Sequence, residues 1–365
     1  MIPLNAPSLG PLEQEYVADA LSSGWVTAGL YVDRFESRLG RLTGRAHVVA
    51  VSSGTAALYL ALRALDIRGP VLLPAYTCDA VCNAAIMAGL FIRIADAEAE
   101  TFGMDFVDHG STPLGAVVLA HTYGVLARES DYIVNWCEHR GVPLIEDASE
   151  AHGAMYANGQ AAGGRGKVSI MSFRGEKTIS GGQLGAVLTD DPEIARLARQ
   201  WSHNGLPCDK VRYWATQPGL NMQPAHLNAA LACAQLERLP ELVSKRNAVH
   251  AGWIQAFGKV GLGPDLFQSP GPHTPAWWLT SINIGKFTRM LAGDLGVALD
   301  TLGIQTRPGF YPIHYYPHVH PMAAPSTPVA DYLLRNLLIL PSGPDITPIQ
   351  QAQVVKAIGR ICGAW

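Results

Sequence analysis

Lys177 sits in a glycine-bounded stretch, Ser172-Phe173-Arg174-Gly175-Glu176-Lys177-Thr178-Ile179-Ser180-Gly181-Gly182, that follows a short apolar strand pattern. A lysine held at a strand end can form a Schiff base when its surroundings lower its pKa, although most lysines are merely solvated. Upstream, Glu146-Asp147-Ala148-Ser149-Glu150-Ala151-His152-Gly153 leaves another apolar run. Two acids at the end of a buried strand are costly unless a cation or a protonated heterocycle partners them; the alternative is a helix cap by Asp147 or Ser149. Further upstream stands Ser52-Ser53-Gly54-Thr55-Ala56-Ala57-Leu58. Free amides at such a strand-to-helix turn bind phosphate, and the same residues also make an ordinary cap. A phosphate turn, a strand-end acid and a loop lysine, in this order, are the parts that pyridoxal phosphate requires.

The elements that must position these residues alternate at βαβ spacing. Strands are read at His47–Val51, Val71–Leu73, Phe91–Ile94, Ala116–Ala120 and Pro143–Glu146, with two more near Ser169–Ser172 and Gly185–Leu188. Helices are read at Leu12–Leu21, Ala56–Leu65, Asp79–Ala88 and Glu129–His139. Short unbroken apolar strands imply a largely parallel sheet covered on both faces, and ligands in such sheets sit at the carboxyl ends of the strands. A long helical pattern from Pro224 to Phe257 breaks near Pro240, and a Pro-, Gly- and aromatic-rich region then leads to a last helix. The expected division is an arm and large domain over residues 1–240 and a small domain over residues 241–365.

Composition narrows the class. Of 365 residues 48% are hydrophobic and only 16% charged, with a net charge of −3, which excludes a disordered chain and a basic nucleic-acid-binding face and hints at an oligomer. The six cysteines (78, 82, 137, 208, 233 and 362) form no CxxC pair, and no leader or apolar membrane span is read, so a cytoplasmic location is expected. His314, His318 and His320 are interrupted by Pro317 and Pro321 and are not read as a metal site. Trp277-Trp278 is read as small-domain packing, with base contact as the other possibility.

Together the motifs resemble the DegT/DnrJ/StrS family of pyridoxal-phosphate sugar aminotransferases over almost the whole length. The matching segments are Trp25-Val26-Thr27-Ala28-Gly29-Leu30-Tyr31-Val32, Ser53-Gly54-Thr55-Ala56-Ala57-Leu58, His121-Thr122-Tyr123-Gly124, Glu146-Asp147-Ala148 and Ser172-Phe173 through Lys177. The resemblance implies the aspartate-aminotransferase (type I) α/β fold and a homodimer. It implies Lys177 as the lysine that carries the cofactor and moves the proton, and Asp147 as partner of the pyridine nitrogen. Ser53, Gly54, Thr55, Ala56 and Ser172 would lie around the phosphate, and Glu150 near the ring. Asn221 matches an asparagine that reaches the neighbouring subunit's phosphate, which would make the active site depend on a dimer.

Two positions depart from the family pattern. Cys78 stands where a ring-stacking aromatic is usual, leaving Tyr76 as the candidate for stacking, and Gln223 replaces a common Arg. The segment Thr306-Arg307-Pro308-Gly309-Phe310-Tyr311-Pro312-Ile313-His314 resembles the perosamine-synthase-like branch. That branch implies glutamate-dependent amination at C4 of a 4-keto-6-deoxyhexose, GDP-linked by preference, for O-antigen or other lipopolysaccharide synthesis. His314, Tyr311, Arg307 and Trp25 would contact the substrate. UDP- or dTDP-linked substrates and C3 amination are the alternatives. Dehydratases of the family carry His in place of the lysine, and a regulatory protein would not need Lys177, Asp147 and the phosphate turn together.

Overall fold

The computed structural model describes residues 1–27, 29–107, 113–207, 213–320 and 326–365; Ala28, Cys208 and Pro321, named above, lie outside them. Seven strands form one sheet: β1 (His47–Val51), β2 (Val71–Pro74), β3 (Ile92–Ala95), β4 (Ala116–Ala120), β5 (Leu144–Asp147), β6 (Val168–Ser172) and β7 (Gly185–Thr189). Their order is β1-β7-β6-β5-β4-β2-β3, and only β7 runs antiparallel to its neighbours. Nearly every strand residue is buried, which is why these strands read as unbroken apolar runs rather than alternating ones.

The helices are α1 (Pro11–Ser22), α2 (Leu30–Thr43), α3 (Gly54–Ala64), α4 (Asp79–Met87), α5 (Ser130–Arg140), α6 (Pro192–Ser202), α7 (His226–Glu237), α8 (Leu239–Gly258), α9 (Ala292–Asp300), α10 (Pro328–Asn336) and α11 (Pro348–Cys362). α3, α4 and α6 share one apolar cluster with the sheet, while α2 and α7 contribute to a second cluster on its other side. The expected break near Pro240 falls at Arg238, and Pro240 belongs to the first turn of α8. A proline is tolerated there because the first-turn N–H has no helical partner anyway. Four helices, α2, α6, α9 and α10, were not anticipated. α2 buries Tyr31, Phe35, Leu39 and Thr43 at strict i+4 spacing, and α6 is capped by the Asp191 side chain and opened by Pro192.

β8 (Thr280–Asn283), β10 (Leu337–Leu340) and β9 (Arg307–Pro308) form a separate antiparallel sheet in the order β8-β10-β9, with α8, α9 and α11 around its apolar cluster. The N-terminal arm joins it. Ile2 bridges Ile304 in parallel, and Asn5 donates from Nδ2 to the carbonyl of Glu176 at 2.6 Å. Arg246 of α8 donates to the carbonyls of Trp278 (2.8 Å) and Ser342 (3.1 Å) and to Asn5 Oδ1 (3.2 Å), and its burial pushes its pKa down to about 10. Among the described residues no helix is long and apolar enough to cross a membrane.

Candidate active site

Three strand ends meet at one cavity of about 520 Å3. After β1 the chain turns through Ser53, whose Oγ accepts the Ala56 N–H at 3.1 Å and starts α3. The Gly54 and Thr55 amides thus stay without helical acceptors at a helix start that lines the cavity. Ala56, grouped above with the phosphate contacts, has its N–H committed to this cap and does not line the cavity. A Cβ on Gly54 would lie 2.6 Å from Ser172 Cβ, so only glycine lets the end of β6 press Ser172 against the free amides.

Asp147 ends β5, next to β6. It is 9% exposed, accepts the Ser149 N–H at 3.0 Å and has no ion-pair partner among the described residues. Burial, aided by neighbouring Glu150, raises its pKa against the lowering effect of the Ser149 hydrogen bonds and Lys177. The preceding Glu146 points the other way and is fully enclosed. Its carboxylate accepts from the Gly163 N–H (3.0 Å), the Arg165 N–H (2.7 Å) and the Tyr156 hydroxyl (2.7 Å), and lies 3.2 Å from His121 Nε2. Burial alone would raise its pKa, but His121 and these donors hold it below the ordinary value. The two acids therefore have opposite duties: Glu146 anchors the strand end, and Asp147 faces the cavity.

Lys177 donates to Glu150 Oε1 at 3.1 Å, and its Nζ lies 3.7 Å from the centre of the Trp278 ring. Glu150 is oriented in turn by the Tyr123 N–H at 3.0 Å. Tyr123 holds a left-handed backbone (φ 59°), and its carbonyl accepts the Trp278 N–H at 2.9 Å. The neighbouring Gly124 (φ 94°) comes so near Ala276 that a Cβ would lie 2.0 Å from its carbonyl oxygen. This strained turn pins the β4 loop to the chain that delivers Trp278.

Cys78 lines the cavity at the start of α4, with its thiol pushed up to about 12 by burial. Tyr76 does not supply the stacking face in its place. It is enclosed behind the cavity, its ring against Phe102, Tyr123 and Phe310. Arg307 lines the cavity, whereas Tyr311 is 53% exposed outside it and His314 faces Thr327, its Nε2 3.4 Å from Oγ1. Trp25 (66% exposed) and Asn221 are likewise not brought to this protomer's cavity. Trp278, read as packing with base contact as the alternative, and Phe310, inside the Thr306–His314 segment, also line it. Tertiary packing carries both rings there. Of the tryptophan pair, Trp277 stacks on His250 at 3.7 Å and 8°, so alternation along the chain sends the two rings to different places.

The cavity fits a phosphate-bearing pyridinium aldehyde. Free helix-start amides and Ser172 suit the phosphate, the buried and unpaired Asp147 suits a ring cation, and Lys177 suits the aldehyde. A seven-stranded sheet with one antiparallel strand, this triad at its strand ends and a small C-terminal sheet define a type I pyridoxal-phosphate enzyme of the aspartate-aminotransferase fold.

The chain belongs to the DegT/DnrJ/EryC1/StrS aminotransferase family, whose model matches residues 7–359, and it is a pyridoxal-phosphate-dependent sugar aminotransferase. It is 31% identical to a GDP-perosamine synthase of Vibrio cholerae over 365 residues, covering 98% of both chains. A GDP-perosamine synthase of Caulobacter vibrioides is 29% identical over 369 residues, with 99% of this chain and 98% of that one covered. Among solved structures, the aminotransferase TlmJ of Streptoalloteichus hindustanus superposes with a TM-score of 0.86 at 26% identity, covering 100% of this chain and 98% of that chain.

Proposed function

We propose that this aminotransferase transfers the amino group of glutamate to C4 of a nucleotide-linked 4-keto-6-deoxyhexose, with GDP as the nucleotide. The full-length likeness to two GDP-perosamine synthases supports the substrate class, and the observation that carries the chemistry is the meeting of Asp147, Lys177 and the Gly54–Thr55 amides in one cavity. Bound pyridoxal phosphate supplies the carbonyl that takes up the amino group and the ring that withdraws electrons from the carbon losing its proton.

The protein's own groups do the rest. The Gly54 and Thr55 N–H groups and Ser172 Oγ bind the phosphate, fixing the ring's position. Asp147 holds the proton at the ring nitrogen, the task for which a buried carboxylate without a cationic partner is poised. Lys177 Nζ, released from Glu150, carries the proton between the two carbons that exchange it, first from the donor and then to the sugar. Glu150 receives the lysine ammonium between transfers and keeps it beside the Trp278 ring. Residues 1–240 form the cofactor-binding part and residues 241–365 the small domain that closes over it. Asn221, exposed on its own protomer, extends to the phosphate of a second copy, so that a homodimer shares its two sites.

The test is spectroscopic. Glutamate should shift the absorbance of the lysine-bound cofactor, and the treated enzyme should then aminate GDP-4-keto-6-deoxymannose in preference to UDP- and dTDP-linked 4-keto and 3-keto sugars. Amination of a 3-keto or dTDP-linked sugar alone would replace the substrate assignment, and an unchanged spectrum would remove the chemistry.

A further inference from the structure

Tyr76 follows β2 and is fully enclosed. Its hydroxyl lies 3.0 Å from that of Tyr123 and accepts the N–H of Phe310 at 3.2 Å. The Phe310 ring stacks on Tyr123 (5.2 Å, 28°) and tilts against Tyr76 (5.6 Å). Between them Gly309 passes so close that a Cβ would sit 2.4 Å from the Tyr76 oxygen, while its N–H donates to Leu337 of β10 at 2.9 Å. Two large-domain tyrosines thus clamp residues 309–310 of the small domain against the cavity.

Arg307 heads this clamped segment. Its Cζ lies 5.8 Å from the centres of both the Trp278 and Phe310 rings, and its Nη2 is buried without a hydrogen-bond partner. The other cations lining the cavity are engaged, Lys177 by Glu150 at 3.1 Å and Arg174 by Glu176 at 3.7 Å. Arg307 has no ion pair among the described residues. A buried guanidinium donor left open is costly unless a ligand meets it, and its planar fork matches an oxyanion.

We infer that Tyr76 is a positioning residue that holds Arg307, through Phe310, as the receptor for a substrate oxyanion, either the carboxylate of the amino donor or the diphosphate of the sugar nucleotide. The assignment rests on the aminotransferase reading of the cavity.

The experiment uses cofactor-loaded wild type, Tyr76→Phe, Arg307→Gln and their double variant. Calorimetric titration with glutarate, an unreactive dicarboxylate, and separately with GDP is combined with steady-state kinetics. Arg307→Gln should weaken one probe about ten- to a hundredfold, the loss expected for a charged hydrogen bond. Loss of glutarate identifies the carboxylate as the anion, and loss of GDP the diphosphate. Tyr76→Phe should weaken the same probe about three- to tenfold and raise the matching KM equally, with kcat and cofactor affinity within about twofold of wild type. The double variant should be no weaker than Arg307→Gln alone. Gly309→Ala should weaken the probe in wild type and less so beside Tyr76→Phe, where the nearest ring atom would be a carbon 3.2 Å away. The inference is overturned by unchanged probe binding in Arg307→Gln, by additive losses in the double variant, by a Tyr76→Phe defect in kcat or cofactor affinity instead of KM, or by no measurable binding of either probe to wild type. Failure of glutamate to shift the wild-type spectrum would instead refute the aminotransferase reading itself.

Discussion

Replacing Asp147 by Asn separates the two states of the site. Asp147 is 9% exposed and without an ion-pair partner among the described residues, and burial raises its carboxyl pKa above the ordinary value of 3.8. A raised folded-state pKa means that the carboxyl's contribution to stability is fully present below about pH 3.8 and is lost as pH rises through the folded value. Above that folded value the cofactor-free protein bears a buried charge without a cationic partner. Asn keeps the oxygen that accepts the Ser149 N–H and removes the charge. Cofactor-free Asp147→Asn should be more stable than wild type at pH 7 by about 1–3 kcal/mol, or roughly 1–4 °C, and the gain should vanish below about pH 3.8. With cofactor the order should invert, because under the proposed role of Asp147 the variant would give up a charge-assisted bond to the ring nitrogen. Its affinity for pyridoxal phosphate should fall about ten- to a hundredfold. Thermal melts of both forms across pH, with absorbance titration of the cofactor, give the result directly. A cofactor-free variant no more stable than wild type at pH 7, or cofactor affinity within twofold of wild type, would contradict the assignment of Asp147 to the ring nitrogen.

Lys177→Ala should abolish both the lysine-bound absorbance and turnover, checked by spectroscopy and product assay. Gly54→Ala should weaken cofactor binding at least about tenfold by forcing Ser172 away from the amides, at a stability cost of about 1–3 kcal/mol; titration and melting measure the two effects. Glu146→Gln should cost about 3 kcal/mol, because three donors and His121 converge on one charge. Since Glu146's pKa is lowered from 4.5, wild type holds this contribution above about pH 4.5 and loses it as pH falls through the folded value, so denaturant melts should converge in acid. Mixing inactive Lys177→Ala and Asn221→Ala dimers and allowing exchange should restore up to about a quarter of wild-type activity, as half the dimers then hold one intact site; no recovery would count against shared sites.

The cofactor side of the cavity was legible because each of its groups lies within a few residues of a strand end: Ser53 and Gly54 after β1, Asp147 at the end of β5, and Lys177 five residues past β6. In a parallel sheet a strand's end is also a place, so local pattern becomes location. The substrate side was less legible. Trp278 and Phe310 reach the cavity by tertiary packing, and Tyr76, adjacent to the motif, is turned inward by its contacts with Tyr123 and Phe310. Trp25 and Tyr311 matched family segments, but matching fixes sequence position and not the direction of a side chain. α2 and α6 carry ordinary amphipathic and capping signals in the segments that flank the motifs.

The arm that joins Ile2 to Ile304 has a kinetic consequence. During synthesis the first residues must wait for some three hundred others before their bridge partner exists, and such distant closure is slow. Asn5, on the same arm, holds the carbonyl of Glu176 beside Lys177 and also meets Arg246. The lysine loop can therefore acquire its final support only after the small domain has formed. The arm's hold on the lysine loop is thus complete only once residues 246 and 304 have been made.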